Sequence, residues 1–94
     1  MKFVYALAAL LALASGCTRD DTDGRPDCNA VEMSQRFWRN HWDPTAYWEC
    51  ETANAPATAR RCPTEGMFDS AQLTCINWAD WTWTETCKPP SKDQ

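Results

Sequence analysis

The sequence predicts a small disulfide-rich β protein, a short antiparallel sheet plus a small β-hairpin, with little helix. Three observations lead there. Six cysteines are spread through 94 residues, the density of a domain stapled by bridges. Aromatic, extended runs alternate with turn signals. Beyond the apolar N-terminal run, Val31, Leu73 and Ile76 are the only branched aliphatic residues. A chain this short buries a limited share of its surface, so aromatic side chains and covalent staples must supply the core.

The elements follow in order. Residues 18–27, "TRDDTDGRPD", are charged, contain Gly24 and Pro26, and read as a flexible lead-in covering 15–27. "NAVEMSQRFWRNHW" opens a helix, with Asn29 as N-cap and Glu32 completing a capping box. Its apolar stripe runs through Val31, Trp38 and Trp42, and Pro44 ends any helix. "TAYWECE" is extended, "NAPA" turns the chain, and "TARRC" returns as a partner strand. "MFDSAQLTC" reads as a second hairpin that bends at Asp69 and Ser70. The tail 88–94, "KPPSKDQ", is proline-rich and charged and reads as disordered. A single domain, 28–87, remains.

"MKFVYALAALLALASGC" places Lys2 before an apolar run and small residues, the pattern of a secretory signal over residues 1–14. The run is too short to span a bilayer as a helix. Cleavage after Ala14 makes Ser15 the first mature residue; cleavage after Gly16 makes it Cys17. "LASGC" also resembles a bacterial lipoprotein signal, in which Cys17 would carry the lipid. Secretion fits the cysteine content. Zinc does not, because there is no C-x-x-C pair and His41 is the only histidine. No metal and no cofactor is expected. The formal charge of −4 becomes −5 once Lys2 is removed, which argues against nucleic acid, anionic membrane and sulfated glycan as partners.

"DPTAYWEC", "CPTEGMFDSAQLTC" and "CINW" resemble the peritrophin-A, or type 2 chitin-binding, domain of invertebrate secreted proteins. In that family an aromatic pair precedes the third cysteine, as Tyr47 and Trp48 precede Cys50. The fourth is followed by proline, glycine and an aromatic, matched by Cys62, Pro63, Gly66 and Phe68. The fifth, matched by Cys75, is followed by a tryptophan, matched by Trp78. The resemblance is specific from Asp43 to Trp78 and weak before it. Three departures stand out. Pro44 occupies the place of the family's second cysteine, the Cys50–Cys62 loop is longer than usual with Gly66 one place late, and the last segment is long.

The resemblance implies bridges Cys28–Cys50 and Cys62–Cys75. It leaves Cys87 without its family partner, and Cys17 is the one cysteine to spare. Cys17 lies eleven residues before Cys28, a tether that reaches across so small a domain at ~3.3 Å per extended residue. Pairing Cys17–Cys87 restores three bridges. The alternative is a free thiol at Cys87, open to an intermolecular bridge.

The function implied is secreted, non-catalytic binding of chitin, the neutral N-acetylglucosamine polymer. Pyranose rings present apolar C–H faces that flat aromatics bury, while amides and hydroxyls meet the polar edge. The candidate contacts are Tyr47, Trp48, Trp78, Trp81, Trp83 and the amide of Asn77. If extended, Tyr47 and Trp48 face opposite ways, so one is buried. Trp78 is partly core. "WTWT" alternates, and on a strand Trp81 and Trp83 would share one face at ~6.8 Å spacing, a ledge for neighbouring sugars. Phe68, Trp38 and Trp42 read as packing residues. His41 has no nucleophile motif beside it and the carboxylates are scattered, so an enzyme is not expected. The alternative is a secreted interaction or defence protein that kept the scaffold and lost chitin binding.

Overall fold

The computed structural model describes residues 17–93, and the expected signal segment 1–14 lies outside them. Helix α1 (Ala30–Gln35) leads into β1 (Phe37–Arg39), β2 (Ala46–Glu49) and β3 (Thr58–Arg61), an antiparallel sheet in the order β1-β2-β3. β4 (Gly66–Asp69) and β5 (Thr74–Asn77) form a separate hairpin. Short 3-10 turns follow at Trp78–Asp80 and Pro90–Lys92.

The capping box sets the start of α1. Asn29 Oδ1 accepts the Glu32 N–H at 2.9 Å, and Glu32 Oε1 accepts the Asn29 N–H at 3.0 Å. The helix stops earlier than the apolar stripe suggests, because Arg36 takes a left-handed φ of 70° and the chain turns into β1. Trp38 therefore faces Trp48 across β1–β2 instead of extending a helical face. Pairing satisfies the backbone and puts adjacent aromatics on opposite faces of the sheet, which outweighs local helix preference.

Register sorts the sheet into two faces. Trp38, Trp48 and Ala59 share one face, and Phe37, Tyr47, Glu49 and Arg60 the other. Trp48 packs with Cys28, Cys50 and Ala57, flanked by Met33 and Trp38. Burying two indoles requires partners for their N–H groups. Trp48 Nε1 donates to the Asp23 carbonyl at 3.1 Å, and Trp38 Nε1 to the Glu32 carbonyl at 3.0 Å. On the other face, Glu49 is buried between Arg36 and Arg60, which donate to its two oxygens.

The hairpin docks on the sheet through Phe68, whose N–H bonds the Pro44 carbonyl at 2.8 Å and whose ring is buried. Gly66 at its start leaves little room for a side chain. A Cβ there would sit 3.0 Å from the Pro63 carbonyl and 3.1 Å from Cys62 Cβ.

All six cysteines are paired, as Cys17–Cys87, Cys28–Cys50 and Cys62–Cys75. Cys28–Cys50 lies in the sheet core, and Cys62–Cys75 ties β5 of the hairpin to the residue that follows β3.

Both ends of the described residues are bonded to the domain. In the lead-in, residues 17–27 run beside 86–88: Asp20 N–H bonds Thr86 O, Lys88 N–H bonds Thr18 O, and Arg19 bridges Cys87. Pro26 and Asp20 are buried. The tail expected to be disordered docks through Ser91, whose N–H and hydroxyl both reach Glu32 Oε2, at 2.9 and 2.7 Å. Lys92 pairs with Asp27 at 2.8 Å. The fully buried Glu32 carboxylate is thus used twice, by the helix cap and by the tail.

Candidate functional site

Tryptophan divides into two populations. Trp48 is 7% exposed and Trp38 is half-buried, whereas Trp42, Trp78 and Trp83 are 71, 58 and 66% exposed. Indoles exposed singly are ordinary, whereas aromatic residues adjoining one another at the surface mark a contact site.

The richest aromatic surface lies where the sheet meets the hairpin. Tyr47 of β2 stacks on Phe68 of β4, with centroids 5.1 Å apart and planes at 19°, and meets the edge of Phe37 at 5.9 Å and 73°. The three rings, with Pro63 and Leu73, border an open depression of about 350 Å³. Pro63 also borders a second depression of about 420 Å³, flanked by Trp78 and by Thr45, Thr64 and Arg61. One ridge residue therefore separates an apolar basin from one with an indole and hydroxyls.

The polar rim of the second basin is held in place. Thr45 Oγ1 donates to Asp43 Oδ1 at 2.6 Å, and Arg61 lies against both residues. The Thr45 hydroxyl keeps the Asp43 carboxyl below its usual range against the opposing effect of burial, and Arg61 adds to the lowering. The rim stays charge-paired at neutral pH.

The remaining sequence candidates are placed differently from expectation. Trp48 is core and cannot meet a ligand in the folded domain. Trp78, expected to be partly core, stands out in solvent at the end of β5. The "WTWT" segment is not part of a strand, and its two indoles do not share the exposure expected of a ledge. Trp81 is half-buried and its indole N–H donates to the Phe68 carbonyl at 2.9 Å, a bond that holds the last segment to the hairpin. Trp83 is exposed by itself. Asn77 is exposed, yet its Oδ1 accepts the Ala79 N–H at 2.9 Å and caps the following 3-10 turn. Trp42, read as a packing residue, is the most exposed tryptophan, and its Nε1 donates to the Asp21 carbonyl of the lead-in at 3.3 Å.

Two features escaped the sequence reading. Phe37 joins the aromatic row because β1 exists, and its alternation with Trp38 in "RFWR" was the available signal. The other is the partner of His41, whose side chain is 5% exposed with Nδ1 2.8 Å from Oδ2 of the buried Asp20.

Among the described residues no cluster of histidine, cysteine and carboxylates could hold a metal ion, and no helix is long and apolar enough to cross a membrane. No protein-family model, no curated protein and no solved structure matches this chain. Fold and site together define a small three-disulfide β domain that presents tryptophans to solvent. Three bridges mark a chain that matures in an oxidising compartment.

Proposed function

We propose that the protein is a secreted, non-catalytic carbohydrate-binding module for chitin or a related N-acetylglucosamine glycan, with Tyr47 and Trp78 on either side of Pro63 as its principal contacts. The observation that carries this reading is the pair of basins sharing the Pro63 ridge, one aromatic and one combining an indole with threonine hydroxyls. Stacked rings bury the C–H faces of successive sugars, and the hydroxyls meet their polar edges. The net charge of −4 penalises nucleic acid and anionic membranes but not a neutral polymer. The family resemblance from Asp43 to Trp78 supports the same ligand. A single shallow site favours polymer over short fragments, because rebinding along the chain raises the effective concentration.

Retention of the oxidised protein on chitin beads, with cellulose beads as control, tests the reading. Retention on chitin alone is expected; equal recovery from both, or from neither, contradicts it. A second reading rests on a specific observation. Trp81 is half-buried and committed to the Phe68 carbonyl, and "WTWT" is not part of a strand, which favours a secreted interaction or defence protein built on the same scaffold. That protein would leave chitin beads unoccupied.

A further inference from the structure

The sheet face that carries Tyr47 and Phe37 continues past the aromatic basin into a polar cleft. Glu49 lies opposite Phe37, and Arg60 opposite Tyr47, in the β1–β2 and β2–β3 pairing. Directly opposed residues stand about 4.5–5.5 Å apart at Cβ, so aromatic and charged side chains adjoin along these two pairs. Beyond them, where α1 passes into β1, Met33, Arg36, Glu49, Cys50, Glu51 and Arg60 border an open cleft of about 640 Å³. That is room enough for a small ligand.

The charged groups of the cleft hold one another. Arg36 Nε donates to Glu49 Oε2 at 2.7 Å, with Nη2 beside the same oxygen. Arg60 Nε donates to Glu49 Oε1 at 3.0 Å, and its Nη2 to Glu51. Hydrogen bonds from Arg60 and Arg36 keep the Glu49 carboxyl below its usual range against its burial, so the set stays ionised at neutral pH. Nη1 of each arginine has no protein partner among the described residues, and the two side chains are 61 and 44% exposed. Two cations against two carboxylates leave fixed donors without a net charge. Such a lining suits a neutral, hydroxyl-rich ligand better than an ion.

The backbone of Arg36 adds an independent observation. It ends α1 at φ 70° and ψ −49°, a γ-turn geometry that is rare and strained for any residue but glycine. Strain of this kind persists where the side chain has a use. Here it brings the guanidinium to 5.1 Å from the centre of the Phe37 ring. The row is then continuous: Arg36 over Phe37, Phe37 against Tyr47 at 5.9 Å, and Tyr47 on Phe68 at 5.1 Å.

We infer that this cleft is a further glycan subsite, in which Arg36 and Arg60 donate to the hydroxyl and acetamido oxygens of the sugar units that run on beyond Phe37. The inference rests on the chitin reading of the aromatic basins and extends it, from two shallow basins to a track with a polar end. Stacking on Tyr47 sets where the chain lies, and the guanidinium donors engage it only when it is long enough to pass Phe37. Chain length is therefore what this cleft senses.

NMR spectra of the intact oxidised protein, titrated with the disaccharide and the hexasaccharide of N-acetylglucosamine, locate each ligand without any variant. The disaccharide is expected to shift the amides of Tyr47 and Trp78, and the hexasaccharide those of Arg36, Glu51 and Arg60 as well. Arg36→Lys keeps a cation beside Glu49 but removes the forked donors. It should weaken hexasaccharide binding roughly five- to tenfold and leave disaccharide affinity and melting temperature unchanged. A lowered melting temperature, or an equal loss for both sugars, means that Arg36 serves the fold alone and overturns the subsite. Hexasaccharide shifts confined to Tyr47 and Trp78 overturn it too, while leaving the chitin reading in place. Absence of shifts with either sugar overturns both.

Discussion

The three-stranded sheet and the segment after β5 each carry tryptophans, and they use them in opposite ways. In the sheet, Trp38 and Trp48 pair across β1–β2, pack with Cys28–Cys50, and place both indole N–H groups on backbone carbonyls. After β5, only Trp81 finds such an acceptor, and Trp78 and Trp83 stay in water. The difference teaches that strand register and an available carbonyl, not residue type, decide whether an indole is structure or surface. In a domain so poor in aliphatic residues, an indole left outside is apolar area withheld from the core.

The comparison is sharpened most by Trp48→Ala. Removing a buried aromatic beside a disulfide should cost about 3–5 kcal/mol, while Trp83→Ala should stay within about 0.5 kcal/mol of the wild type. Urea midpoints at a shared m-value measure both. Equal costs for the two substitutions would break the division into core and surface indoles.

How far the sequence anticipated this division depends on the range of the interactions concerned. "TAYWECE" and "TARRC" alternate locally, and they form β2 and β3 with Tyr47 and Trp48 on opposite faces. "MFDSAQLTC" carries its own turn and forms the β4–β5 hairpin. The misread parts all depend on partners far along the chain. Trp38 leaves helical spacing because Trp48 pairs with it. The charged lead-in is ordered because Asp20 finds His41 and Thr86, and the tail because Ser91 finds Glu32, 59 residues earlier. The alternation in "WTWT" suggests a strand, but among the described residues no partner strand is present there and Trp81 turns back to Phe68. Charge and proline content describe how a segment behaves alone; a buried carboxylate waiting elsewhere in the fold overrides them. Of the candidate site, Tyr47 and Trp78 were legible as aromatics flanking cysteines, whereas the ridge at Pro63 that puts them on adjoining basins is a tertiary feature.

A smaller effect separates the sheet side from the tail. Ser91→Ala removes the hydroxyl bond to Glu32 Oε2 and the hydroxyl that accepts the Asp27 N–H. The retained Ser91-position N–H keeps one bond to the carboxylate, so the cost should be about 1–3 kcal/mol, below that of Trp48→Ala. Exchange protection should fall for the Lys92 amide, which belongs to the docked turn, and not for Cys62, which follows β3 and bonds Thr45. A uniform loss across both regions would mean that the tail and the sheet unfold as one unit.

The central claim is that exposed indoles serve a ligand while buried ones hold the fold, and Trp78→Ala tests it most directly. Its melting temperature and its retention on chitin beads are measured side by side with the wild type. Stacking of a base on an aromatic is worth ~1–3 kcal/mol, and the same scale for a sugar predicts roughly five- to 150-fold weaker retention with melting unchanged. Wild-type retention preserved in Trp78→Ala, or lost together with the fold, would contradict the account.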